Sequence, residues 1–576
     1  MVIIMNRNVD DHFAKTPTPH FPRSLFNVGI KKRLQTQQHG RLYPFFARLV
    51  YPGDTWNMKL TTFCRADTSY RVPLDDIFLD TYFFFCPLRI IDKDFPKILG
   101  EGEPEDYDDV SYGFPTFHIE SDVPDGYEAT LTINNILGYL GYSQAQVNID
   151  SVNHVFGFGA DDEICPYPLM AYYKVYNDWF RDENLDASIP YGDLIGGYQS
   201  NFDIGGLWDH LSCLKINKFH DYFTSCMIAP QKGPAVTIPL GTSAPVVTSL
   251  NVSQGKSDIP LDWTILSDGS KLNFARGLST AASGGTYSTN TSDPTGDPSV
   301  APRNLVADLS AAAGTINELK LALSLQALYE RRGTFGTRYI ETIRGQWGIE
   351  VPDSFFLRPE YLGGSRVTLN NIPVLSTENS SQLGQMAGNS STLANGGSFS
   401  KTFIEYGILL GVSCTRIKHS YMQGKRKELF SLKTQVDLYN PVFANIGPQP
   451  VYKNEIYNQG SAYDKVVFAY QEPWADLKSD FDSFAGLFGA FSENTEIQTK
   501  WHYGDYYTSE PSFSASWLKE DFTNVARTMT GQLIANAGNT SAADRAHQFM
   551  FGYYYDTKVT RIMNTRPDRD VLIGRL

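Results

Sequence analysis

The stretch Leu79-Asp80-Thr81-Tyr82-Phe83-Phe84-Phe85-Cys86 is apolar on both faces once past Asp80. A run without a polar alternate suits a strand covered on both sides, so this segment belongs deep in a sheet. Just upstream, Trp56, Met58, Leu60, Thr62 and Cys64 alternate against Asn57, Lys59 and Thr61. That period of two marks a half-buried strand. Pro52-Gly53-Asp54 before it is a turn signal between two extended runs.

The composition agrees with these local readings. The 576 residues exceed the roughly 250–300 at which one core stops growing. Hydrophobic residues make up 42% and charged ones 19%, so the chain folds. Aromatics reach 13%, alongside 47 Gly and 31 Pro, which favours short strands and loops and excludes a coiled coil, a collagen or a helical repeat. The formal charge is −14, so any nucleic-acid contact must come from a local basic patch. Six cysteines without a C-x-x-C pair make neither a disulfide framework nor a zinc ribbon and read as reduced, mostly buried thiols. No apolar run approaches the ~18 residues of a membrane span; Tyr406–Cys414 is among the longest. Met1–Met5 is too short for a signal segment, so neither secretion by that route nor membrane insertion is expected.

Charge divides the chain unevenly. Residues 1–47 read as a basic arm without a sustained period; counted through Arg48, eight bases face only Asp10 and Asp11. Such a segment either drapes over a partner that orders it or is a solvated terminus. The remainder, 48–576, reads as one β-rich body with insertions. Residues 92–125 carry eleven acids against Lys93 and Lys97, a surface excursion that is either a solvated face or a docking site for a cation or basic partner. Pro168 begins a helical pattern through Leu169, Tyr173, Tyr176 and Phe180. Asn317 and Gly333 bracket a second, with Leu321, Leu325 and Leu328 on one face. Between 241 and 316, Ser, Thr, Gly and Ala fill 38 of 76 positions, yet Trp263, Phe274 and Tyr287 lie among them. A loop that long is improbable unless functional, so 241–316 reads as an inserted, surface-projecting subdomain. Residues 376–400, rich in Ser, Asn and Gly, read as a further loop or insertion.

Catalytic signatures are missing. There is no Walker A loop, no H-E-x-x-H and no G-x-S-x-G, so no catalytic residue is assigned. His210, Cys213, His220 and Cys226 have a spacing that fits no standard zinc site, and no metal or cofactor is expected. Asp161, Asp162 and Glu163 are adjacent, which rarely lets carboxylates meet across a substrate. Two basic clusters, Lys31-Lys32-Arg33 and Lys425-Arg426-Lys427, suit either a single-stranded backbone or a neighbouring subunit. The residues alone point to a structural or binding protein, with a glycan-active protein and a trimeric receptor-binding spike as alternatives.

Six blocks carry a resemblance. Trp179–Leu185 (WFRDENL), Gln231–Gly241 (QKGPAVTIPLG), Gly336–Tyr339 (GTRY), Arg358–Gly364 (RPEYLGG), Pro441–Tyr457 and Trp501–Asp505 (WHYGD) run in the order found in gokushovirus major capsid proteins. The chain therefore resembles that family of small single-stranded DNA phages, the Microviridae, from about residue 40 onward. Pro473, in Gln471-Glu472-Pro473-Trp474, departs from the basic residue expected there.

The resemblance implies a mainly β fold: an eight-stranded viral jelly roll with large loop insertions and a few helices. Sixty copies would form a T=1 shell around circular single-stranded DNA, with 241–316 as a threefold protrusion meeting the host. Trp263, Phe274 and Tyr287 are the candidate protrusion residues; Lys31, Lys32, Arg33, Lys425, Arg426 and Lys427 are the candidate DNA-facing ones. Implied partners are further copies of the chain, the packaged DNA, a small basic packaging protein, a DNA pilot protein, a scaffolding protein and a host-cell receptor. The implied location is the virion, assembled in the host bacterial cytoplasm.

Overall fold

A computed structural model describes residues 22–101, 113–116, 135–142, 165–191, 210–237, 246–248, 263–265, 277–280, 286–289, 300–302, 305–307, 316–353, 357–370, 391–460, 462–480, 482–489, 500–529 and 547–565. The chain forms two compact units, one of Met1–Pro230 with Phe335–Leu576 and the other of Gln231–Thr334.

The larger unit is built on eight long strands among the described residues: β1 (Ser24–Gln37), β2 (Tyr43–Val50), β3 (Thr55–Ala66), β4 (Ile77–Pro87), β5 (Glu360–Leu369), β6 (Ser391–Thr402), β7 (Gly407–Ile417) and β8 (Phe549–Arg561). They make two antiparallel sheets of four, ordered β1-β8-β3-β6 and β5-β4-β7-β2. The expected alternation in β3 holds: Trp56, Met58, Leu60, Thr62 and Cys64 are buried, whereas Asn57 and Lys59 are exposed. The turn before it places Gly53 at φ +87°, a conformation that favours glycine.

One core lies between the sheets. Phe45 of β2 stacks on Tyr553 of β8 at 4.6 Å, and Phe83 of β4 meets Phe399 of β6 at 5.1 Å. A second core covers the opposite face of β4 and β7, where Phe84, Cys86, Leu410 and Val412 meet two helices. These are α1 (Ile136–Leu140) and α2 (Tyr167–Val175). Hence β4 is buried on both faces, as its unbroken apolar run predicts. A third cluster gathers Phe223, Tyr421, Val451, Ile456 and Phe468 beside the hairpin of Gln449–Tyr452 and Val467–Gln471.

Several expectations need correction. Residues 24–37, read as part of an arm without a period, form the edge strand β1, which pairs with β8 along its length. Its alternation is weak because most side chains on both faces reach solvent, and backbone pairing holds it. Likewise, 391–400 of the stretch read as a loop belongs to β6. The first helix starts at Tyr167 and continues as a π-helical turn over Tyr176–Phe180. The second, α3 (Ile316–Phe335), runs through both Asn317 and Gly333, so neither residue bounds it. In the smaller unit, short strands pair as Val246–Thr248 with Leu305–Ala307, Trp263–Ile265 with Val300–Pro302, and Gly277–Thr280 with Thr286–Thr289. Among the described residues no helix is long and apolar enough to cross a membrane.

Candidate nucleic-acid interface

Pairing of β1 with β8 places cations directly opposite aromatic residues. Lys31 faces Tyr555, Lys32 faces Tyr554 and Arg33 faces Tyr553. Beside this ladder an open groove of about 820 Å³ is lined by Val28, Ile30, Lys31, Lys32, Phe46, Arg48, Trp56, Tyr554, Tyr555 and Thr557. Its rim is basic, since Lys31, Lys32 and Arg48 are all exposed. Its floor is aromatic: Phe46 meets Trp56 at 6.1 Å and Tyr555 at 5.4 Å, both edge to face. Ile30 is 71% exposed, so an apolar wall stands in water.

Arg33 behaves differently from its neighbours. Its guanidinium donates to the carbonyl oxygens of Gly138 and Tyr139 in α1. Burial pulls its pKa down against the opposing influence of nearby tyrosines, and the Arg48 charge adds to that lowering. The second cluster lies away from the groove, next to the third core. There Arg426 pairs with Asp480 at 3.3 Å and Glu428 at 3.5 Å. Lys427 donates to the Pro450 carbonyl at 3.2 Å, and Lys425 is exposed. Trp263 and Tyr287 fall in two of the short strands of the smaller unit, while Phe274 lies outside the described residues, as do Asp161, Asp162 and Glu163. Cys213 belongs to the core beneath the helices and Cys226 to the third cluster.

Reading the sequence missed Tyr554, Tyr555 and Thr557 as groove residues and took Trp56 only as core. The run Tyr553-Tyr554-Tyr555 was visible, but only the β1–β8 register shows that it faces the lysines.

Three of the six sequence blocks converge in space. The Arg358 guanidinium lies over the Trp179 ring at 3.7 Å, and Trp179 Nε1 donates to the Pro359 carbonyl at 3.0 Å. Arg338 donates to the carbonyls of Asp178 and Asn177, and Glu183 accepts from the Thr337 amide and hydroxyl. Residues far apart in sequence thus form one knot, and neither arginine is spare for a ligand.

Comparison with known proteins matches this arrangement to virion components. Residues 14–569 match the family model described as capsid protein (F protein). The chain is 32% identical to capsid protein VP1 of Spiroplasma virus 4, covering 96% of both chains. It is 33% identical to capsid protein VP1 of Bdellovibrio phage phiMH2K, covering 91% of this chain and 92% of that one. With capsid protein VP1 of Chlamydia phage 1 it shares 29% identity over 89% of this chain and 91% of that one. A match that takes in both sheets and all three cores leaves one conclusion: the chain belongs to the phage capsid protein (F protein) family, as a major capsid protein of gokushovirus type.

Proposed function

We propose that this protein is the sole shell-forming subunit of a T=1 icosahedral particle, sixty copies enclosing circular single-stranded DNA. The observation that carries this reading is the capsid-family match across residues 14–569. The fold supports it: the orders β1-β8-β3-β6 and β5-β4-β7-β2 are those of an eight-stranded jelly roll, with the remaining short strands and helices as its insertions. Closed shells need head-to-tail contacts that complete rings. Exposed Leu429, Leu432, Val436, Leu438 and Val442 supply apolar surface for such contacts.

In this reading Lys31 and Lys32 face the packaged DNA, and Lys425 lies at a subunit seam or on the same inner surface. The insertion 241–316, with Trp263, Phe274 and Tyr287, projects outward to meet a host receptor. A net charge of −14 per copy repels DNA unless cations are concentrated on one surface, so a small basic packaging protein is a required partner. A DNA pilot protein and an assembly scaffold complete the set, and assembly takes place in the bacterial cytoplasm.

The test is particle mass. Light scattering on protein purified from lysate, with negative-stain images of the same fraction, should show uniform spheres of ~3.9 MDa, sixty copies of 64.5 kDa. Discrete monomers or trimers in the presence of every co-expressed phage protein would overturn the reading.

A further inference from the structure

We infer that the groove between β1, β8 and the edge of β2 is a nucleotide-binding site that takes an unpaired base of single-stranded DNA, with Tyr555 as the stacking platform and Lys31 and Arg48 on the phosphates. The inference rests on the reading of the chain as a capsid subunit around single-stranded DNA, and it names where and how that DNA is held.

Three observations carry it. First, a cation and an aromatic share one face of the strand pair, Lys31 opposite Tyr555, and Arg48 lines the same groove. A basic track with aromatic platforms is the chemistry that holds single strands without reading their sequence, because every base offers a π face. Second, the groove is open and partly apolar, with half-buried Tyr555 edge to face with buried Phe46, which in turn meets buried Trp56. A site for phosphate alone has no use for an aromatic floor. Third, Thr557 is only 3% exposed, lines the groove, and keeps an Oγ1 with no hydrogen-bond partner among the described residues. A buried hydroxyl left unpaired is costly, and a base edge or sugar oxygen entering the groove would satisfy it.

Arg33 stands outside the site. Its guanidinium is engaged by the carbonyls of α1, so it props β1 against that helix and leaves the phosphates to Lys31 and Arg48. Duplex DNA is excluded on chemical grounds, since its bases are already stacked and paired.

The experiment titrates the full-length, unassembled chain with fluorescein-labelled single-stranded (dT)20, an abasic strand of equal length, and a 20-base-pair duplex, reading anisotropy at several salt concentrations. Lys31→Gln with Arg48→Gln should weaken (dT)20 and the abasic strand alike and flatten the salt slope by about 1.4, two phosphates on a single strand. Tyr555→Leu should weaken (dT)20 roughly 5- to 150-fold and spare the abasic strand. Tyr555→Phe keeps the ring and should bind (dT)20 as the parent does, which separates stacking from damage to the strand. Equal losses for (dT)20 and the abasic strand in the Leu variant, no loss in either, or parental binding to duplex as tight as to single strand would each overturn the inference. Particle mass is measured on the same preparations. Particles of parental mass with unchanged oligonucleotide binding strike the groove and leave the capsid reading standing; a parent that never assembles strikes the capsid reading, and the titration still decides the groove.

Discussion

His419 is fully buried between two carboxylates, with Nδ1 2.8 Å from Asp505 Oδ1 and Nε2 2.9 Å from Glu520 Oε2. Lys218 reaches Asp505 at 2.9 Å and His39 reaches Glu520 at 3.1 Å, so five buried side chains join in one network. Burial alone would lower the His419 pKa; the two carboxylates outweigh burial and the Lys218 charge and raise it to about 9. Burial pushes Glu520 upward, but His419 and His39 hold it down at about 2. The signs fix a window. The raised histidine contributes stability that is complete below ~6.5 and is lost as pH rises through 9. The depressed glutamate contributes stability present above ~4.5 and lost as pH falls towards 2. We expect His419→Gln to cost about 3–5 kcal/mol at pH 6, because it leaves buried carboxylates short of a partner. Thermal melting of parent and variant at pH 6 and pH 9 checks this: the parent should lose more than the variant over that interval, and equal losses would sink the argument.

At the scale of elements, β3 and β7 make opposite predictions from their burial. On β7, Leu409 faces the core between the sheets and Leu410 the core beneath α1 and α2, and neither is exposed. Leu409→Ala and Leu410→Ala should each cost about 2–5 kcal/mol. On β3, Met58→Ala should cost a similar amount and the neighbouring exposed Lys59→Ala less than about 0.5 kcal/mol. Denaturant midpoints of the four variants measure the contrast directly; a neutral Leu410→Ala would show that β7 is covered on one face only. β3 was legible in the sequence as a period of two and β4 as an unbroken apolar run, whereas β7 showed only as the apolar run Tyr406–Cys414. β1 was not legible, since an edge strand with both faces largely wet needs no pattern and is held by its partner's backbone. The role of Gly364 in the block Arg358–Gly364 was equally hidden. A Cβ there would sit 2.1 Å from the Thr81 carbonyl oxygen on β4, a contact set by sheet register and not by local sequence. The candidate site divides the same way: Lys31 stood out by charge, whereas Tyr555 and Thr557 join it only through the β1–β8 register.

For the whole molecule, the division of labour between the two units is the testable point. Both sheets and every residue of the three cores belong to the unit of Met1–Pro230 and Phe335–Leu576. In the other unit α3 buries none of its side chains, and the described strands are only three or four residues long. Deleting 241–316 and joining its ends by a short flexible linker therefore leaves both sheets and the three described cores in the chain, and stability follows buried apolar area. The shortened chain should fold with a melting temperature within a few degrees of the parent and, by the capsid reading, should still package DNA. What it should lose is adsorption to the host, because the insertion is the segment assigned to attachment. Adsorption counts and DNA content of purified particles, taken side by side, separate the roles. Unchanged adsorption would remove the attachment role from 241–316, and loss of DNA with adsorption intact would place the packaging function in the insertion instead of the β1–β8 groove.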